Sequence, residues 1–218
     1  MWIVCASLWI AVPQRLALTL PYWPDQVDVQ QLIPLLTPTP VAQTGQSLCF
    51  DSSGNVISCA GTGQDGELQA GEPWVNPRFS DLNDGTIRDE MTQLVWLKNA
   101  NCNGSLTWAQ AIQLCADLAD GMCGLTDGSL AGDWRMPNRF EMQSLQALAY
   151  GNPPLCDRLG TGHWVEGDAF SQVQLTVYWT SSNAMYNPLF CWVVDFSNGG
   201  VAGFDKSASL PVWPVRGP

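Results

Sequence analysis

Two aromatic blocks near the carboxyl end constrain this chain more than any other feature. Tyr178-Trp179-Thr180-Ser181-Ser182 opens a stretch that Val212-Trp213-Pro214-Val215-Arg216-Gly217 closes. Between them run short apolar alternations separated by polar and glycine-rich turns, with no pattern of nucleophile and base. Such a frame suits strands that present a surface, and it does not suit bond-breaking. It points to extracellular recognition and names no ligand.

Composition supports that class. The chain has 218 residues, enough for one domain and a tail, and 46% of them are hydrophobic. Only 13% are charged, about half the usual quarter. Eleven Trp and 20 Gly suit a loop-rich secreted domain better than a helical cytosolic one. Net charge is -11. This argues against non-specific nucleic-acid binding, which needs cationic neutralisation of phosphates. It also argues against adhesion to anionic surfaces through bulk charge.

Eight cysteines stand at 5, 49, 59, 102, 115, 123, 156 and 191, with no C-x-x-C pair and His163 as the single histidine. That spacing disfavours zinc and favours disulfides in an oxidising compartment. Cys49 and Cys59 flank the turn Asp51-Ser52-Ser53-Gly54-Asn55 and are paired as a hairpin staple. Cys102 and Cys123 bracket one predicted helix and form the next pair. Cys156 with Cys191 completes the set, leaving Cys115 and Cys5 single, although spacing leaves other connectivities open. Met1 to Val12 is apolar but too short to span a bilayer. It resembles a signal-peptide core without the preceding Lys or Arg, so the start is upstream or the leader is atypical.

The organisation follows in three parts. Residues 1–47 read as a leader and Pro-rich linker, 48–76 as a small disulfide hairpin with a Gly/Asp-rich segment, and 77–218 as the folded domain. In that domain Asn83-Asp84-Gly85 predicts a hairpin turn between strands at Arg78–Asp81 and Thr86–Asp89. Leu94–Leu97 is a further strand. Thr107 caps a helix from Trp108 to about Ala119 with Gly121 as its stop, and Pro137-Asn138 opens a second from Arg139 to about Ala149. Phe140, Met142, Leu145 and Leu148 supply the apolar side of that second helix. Strands follow at 177–180, 190–196, 200–204 and 211–215, with a turn at Ser197-Asn198-Gly199-Gly200. The fold class is therefore α+β, with its N- and C-terminal strands pairing to close it.

Candidate chemistry is sparse. Asp81–Gly85 has a Gly one position early for an EF-hand and Thr92 where the closing Glu belongs, so it reads as a turn. Calcium at the acidic loops near Asp127 and Asp133 is left open; no other cofactor and no metal site are expected. Arg135 and Arg216 read as structural forks to carbonyls or carboxylates. Glu141, Glu166, Asp168 and Asp195 supply carboxylates, but no motif selects a catalytic pair. His163 falls in a loop, and no nucleophile has a base placed for it. No catalytic residue is assigned.

Several ordered motifs carry a resemblance. They are Pro77-Arg78-Phe79, Asp84-Gly85-Thr86, Leu94-Val95-Trp96-Leu97-Lys98-Asn99-Ala100, Cys123-Gly124-Leu125-Thr126-Asp127-Gly128, Gly132-Asp133-Trp134-Arg135-Met136-Pro137-Asn138 and the two aromatic blocks. Across residues 64–217 the chain resembles the C-terminal domain of the Legionella collagen-like adhesin. The resemblance implies a C-type-lectin-like fold, extracellular placement and ligand binding rather than catalysis. Collagen-like members of that family are trimeric and bind sulfated glycosaminoglycans. Others are variable products of diversity-generating retroelements. This sequence has no Gly-X-Y stalk and is strongly acidic, so the features behind trimerisation and sulfated-glycan binding are not in it.

Within the framed segment, alternation over Phe190–Phe196 puts Trp192, Val194 and Phe196 toward the core and Cys191, Val193 and Asp195 on the other face. With Met185, Tyr186, Asn187, Leu189, Phe204, Asp205, Ser207 and Ser209, Val193 and Asp195 form the expected ligand-binding face. Aromatic rings there give contact area and small polar groups give adaptable bonds. The expected function is an adhesin- or receptor-type domain, secreted or at the cell surface, that contacts a protein or glycan. A structural subunit of a surface assembly and a lectin-fold enzyme are the alternatives. No nucleic-acid partner is expected, and a homo-oligomer is left open.

Overall fold

Asp51 organises the first turn of the computed structural model, which describes residues 41–217. Its carboxylate accepts the amides of Ser53 and Asn55, each at 2.9 Å. Cys49–Phe50 (β1) and Val56–Ile57 (β2) pair antiparallel across that turn, and a Cys49–Cys59 disulfide fastens them. A short helix, Asp65–Leu68 (α1), follows. The apolar run at 1–12 and Cys5 lie outside the described residues. Residues 41–47, read as linker, are bonded into the body. Val41 and Gln43 exchange backbone bonds with Glu72, and Thr44 accepts the Leu148 amide at 2.9 Å.

The next hairpin is also set by an aspartate. Asp84 accepts the Thr86 amide at 3.0 Å and its hydroxyl at 2.6 Å, so Phe79–Asp81 (β3) turns into Thr86–Asp89 (β4). Gly85 sits in the left-handed region, and a Cβ there would stand 2.4 Å from the Gly124 carbonyl oxygen. Val95–Leu97 (β5) extends the sheet, and Ser105–Leu106 (β6) leads into the helix Trp108–Asp117 (α2). Thr107 and Gln110 form the capping box of α2, as Asn138 and Glu141 do for Arg139–Ser144 (α3). A Cys102–Cys123 disulfide brackets α2.

Val177–Asn183 (β7), Phe190–Asp195 (β8) and Val201–Asp205 (β9) make a three-stranded antiparallel sheet in that order. Leu210–Pro211 (β10) then pairs with β6, and Val215–Arg216 (β11) pairs with β5, giving the order β11-β5-β4-β3. The last strand thus joins the sheet of the N-terminal strands by pairing with β5, while β3, the first strand of that sheet, lies at its opposite edge. Trp213 is the hub of the main core, with Phe170, Phe196, Tyr178 and Trp96 rings at 4.8 to 6.0 Å. Its indole N–H donates to the Leu97 carbonyl at 2.8 Å, so a buried polar group is satisfied. A second cluster packs Ala111 and Cys115 of α2 on Trp179, Cys191, Val193 and Val212. The architecture is mixed, mostly sheet with few helices.

Four expectations are corrected. The second helix ends at Ser144, not near Ala149. Beyond it Ala147 donates to Pro154 and Leu148 to Thr44, so distant carbonyls capture the amides that a longer helix would use. Leu148, past that end, and Phe140, on the outward side of α3, are exposed rather than core. The first helix ends at Asp117 with Leu118 extended, before Gly121 can act as its stop. The terminal strand 211–215 is two short strands, because Val212–Pro214 leaves one sheet to reach the other. Finally, Cys156 and Cys191 are free buried thiols, as is Cys115. Cys156 lies in the main core beside Arg78, whereas Cys191 lies beneath α2 in the second cluster. Among the described residues no helix is long and apolar enough to cross a membrane.

Candidate functional site

The ribbon β7-β8-β9 is anchored from beneath. Trp179 donates its indole N–H to the Leu106 carbonyl at 2.7 Å, and Trp108 of α2 donates to the Thr180 carbonyl at 2.9 Å. Between these anchors, Cys191 and Val193 are fully buried under α2. Burial pushes the Cys191 thiol up to about 12. Val193 therefore leaves the expected contact face. Trp192, assigned to the core by alternation, is half-buried on the outer face. Val194 and Phe196, further along that face, are covered by the main core. Both sides of β8 are thus covered in part, and simple alternation cannot say which side stays open.

The open part is one end of the ribbon. Met185 is 87% exposed, Tyr186 65% and Leu189 69%, all in the β7–β8 loop. The Tyr186 ring lies edge-on to Trp192 at 5.9 Å. It also lies over Gly203, which faces Trp192 in register; a Cβ there would stand 1.8 Å from the Tyr186 hydroxyl. Glycine in a strand marks this close approach. Asn187 is half-buried and its Oδ1 accepts the Leu189 amide at 3.2 Å.

Lys206 ties this loop to the next. Its ammonium donates to Asn183 Oδ1 at 2.6 Å and to the Pro188 carbonyl at 2.9 Å, and lies 4.4 Å from the centre of the Trp108 ring. Asp205, Ser207 and Ser209 are exposed in the turn that carries Lys206. The Ser207 amide and hydroxyl bind Asp205 Oδ1 at 2.8 and 2.7 Å, and these bonds hold its carboxyl below the usual range.

Two expected residues do not join that surface. Phe204 pairs with Cys191 in register, so it leans toward α2, edge-on to Trp179 at 6.4 Å. It is still 38% exposed. Asp195 lies at the opposite end of β8, where it accepts the Ser197 amide at 2.7 Å and closes the turn to β9. Of the acidic loops, Asp127 faces Arg216 at 3.1 Å, and Asp133 Oδ2 accepts the Leu130 amide at 2.8 Å. Arg135 forks onto Glu141 at 2.7 and 2.6 Å.

Sequence reasoning missed Arg139. Its guanidinium lies 4.7 Å from the Trp192 ring centre and 5.7 Å from that of Phe140. Consecutive Arg139-Phe140 at a helix start carries no signal that a strand Trp will stack there. Gly203 opposite a Trp was the readable hint that a side chain crosses the sheet.

The profile of the Lcl C-terminal domain matches residues 85–216, which span the framed ribbon and both helices of its scaffold. The chain belongs to the Lcl C-terminal domain family. No curated protein matches the sequence. Membership in that family points to an adhesin-related domain. The two disulfides among the described residues fit an oxidising, extracellular setting.

Proposed function

We propose that this chain is an extracellular, adhesin-type binding domain of C-type-lectin-like fold. It contacts a protein or glycan through the end of the β7-β8-β9 ribbon and acts by binding, not catalysis. The observation that carries this reading is the loop 184–189. It displays Met185, Tyr186 and Leu189 to solvent while its base is fastened by Lys206. Large exposed side chains on a braced loop offer contact area with little ordering entropy left to lose. Support for binding over chemistry comes from the thiols. Burial pushes Cys115 up to about 12 and Cys156 up to about 11, so neither resembles an activated nucleophile. His163 is engaged with the Pro153 carbonyl at 2.8 Å and stacks on Tyr150.

The test is a triple variant, Met185→Ala with Tyr186→Ala and Leu189→Ala, screened beside the wild type on protein and glycan arrays. Loss of the wild-type ligands with a melting temperature shifted by less than about 4 °C supports the reading. Retained binding refutes it.

A further inference from the structure

Eight Lys and Arg fall among the described residues, and most are committed to a carboxylate. Arg78, Arg88, Lys98, Arg135 and Arg216 are paired with Asp89, Glu90, Asp81, Glu141 and Asp127. Lys206 is spent on Asn183 and Pro188. Arg139 differs. Its Nε donates to Gln143 Oε1 at 3.0 Å, and its two terminal amino groups have no hydrogen-bond or ion-pair partner among the described residues. Stacking against Trp192 and Phe140 holds the plane of the fork while leaving that outer edge free.

The surroundings are apolar. On one side of Arg139 stand Trp192, Tyr186 and the exposed loop. On the other, Arg139 and Phe140 border a cleft of about 430 Å³ that also takes in Val41, Trp74, Met91 and Leu148. Phe140 is 77% exposed at its mouth. Part of the polar capacity that a sugar would need is already used within the chain. Asn183 takes Lys206, Asn187 takes Leu189, Asp205 takes Ser207 and Gln143 takes Arg139 itself. Beside the ribbon stands an open planar cation set among aromatic, thioether and aliphatic groups, the composition of a protein–protein hot spot. A polyanionic chain would bring many charges to one fork on a protein of net charge -11. A single carboxylate matches the fork's geometry and charge.

We infer that Arg139 reads one carboxylate of a partner protein's peptide segment, and that an apolar side chain beside that carboxylate enters the cleft behind α3. This rests on the ribbon as the contact surface and specifies the chemistry of its ligand. Tyr186 and Trp192 flank the carboxylate and exclude water from it, which strengthens the charged bonds.

The experiment uses the full chain and an array of acetylated, amidated heptapeptides. Each carries one Asp or Glu among varied neighbours and is printed beside its Asn or Gln twin. Neutral, uronic-acid and sulfated oligosaccharides share the array. The wild type should select acids next to Leu, Met, Phe or Trp, and bind the amide twins about 10- to 100-fold more weakly. Arg139→Gln should abolish the difference between acid and amide twins with an unchanged melting temperature, and Arg139→Lys should restore part of it.

Discrimination that survives Arg139→Gln overturns the inference. So does binding confined to the acidic or sulfated oligosaccharides, or no peptide bound up to about 1 mM. The Met185, Tyr186, Leu189 triple variant separates the two readings. If it loses all binding while Arg139→Gln leaves discrimination intact, the ribbon stands and the carboxylate subsite falls. If the triple variant binds like the wild type, the ribbon reading falls and this inference falls with it.

Discussion

Gly203→Ala is the most informative single change, because it moves one side chain and little else. The added Cβ would stand 1.8 Å from the Tyr186 hydroxyl and 2.9 Å from Cζ. An ordinary carbon–oxygen contact is about 3.3 Å, so the ring tip must move by at least about 1.5 Å. Gly203 does not need the left-handed region, so alanine brings no backbone strain. It also narrows the unfolded ensemble, which is worth roughly 0.4–1 kcal/mol toward stability. Against this stands the packing of a ring that is already 65% exposed. The two nearly offset, and the melting temperature should change by no more than about 3 °C. Binding should respond far more. Displacing a central aromatic contact costs about 2 kcal/mol, or roughly 30-fold in affinity. Nuclear Overhauser contacts between the Tyr186 ring and Gly203 in the wild type, absent in the variant, would confirm the displacement. A melting temperature lower by 8 °C or more would refute the argument, since Tyr186 would then be part of the core.

Three further outcomes follow from the same geometry. Lys206→Met removes the two ammonium bonds, each discounted for partial exposure, so stability should fall by about 1 kcal/mol while amides 184–189 exchange faster; unchanged exchange would show that the brace is idle. Asp89→Ala strands the buried Arg78 guanidinium, 3.8 Å away, and should cost about 3–5 kcal/mol at pH 7 in a denaturant titration; a loss under about 1 kcal/mol would mean the pair is dispensable. The thiols set an alkaline limit: burial raises Cys115 and Cys191 to about 12 and Cys156 to about 11 in the folded chain, whereas unfolded thiols ionise near 9. Their stabilisation is complete below about pH 9 and is lost as pH rises toward the folded values, by about 1.4 kcal/mol per pH unit for each thiol. A Cys115→Ala, Cys156→Ala, Cys191→Ala variant should show a shallower alkaline slope, and an identical slope would show that the thiols are not buried in solution.

The legible parts of the fold were those whose cause lies within a few residues. Asp51 and Asp84 close their turns by accepting amides two residues on, and Asn138 and Glu141 cap a helix three residues apart. The two disulfides among the described residues are those flanking a turn or a single helix. The exposed loop at 184–189 was legible as a segment, because it combines large side chains with turn residues. The open face of the ribbon was not. Placing Val193 outward and Trp192 inward assumed one buried side for β8, while α2 covers one side and the main core covers part of the other.

By itself, then, the sequence determined the local turns, the caps and the aromatic frame. Tertiary structure alone decided which side of the ribbon faces water, that Cys156 and Cys191 lie in different clusters, and that α3 stops where Pro154 and Thr44 capture its next amides. It also set the Arg139 fork against Trp192. The physical reason is one of range. Hydrogen bonds within a turn are written in adjacent residues, whereas burial depends on which distant element arrives to cover a face.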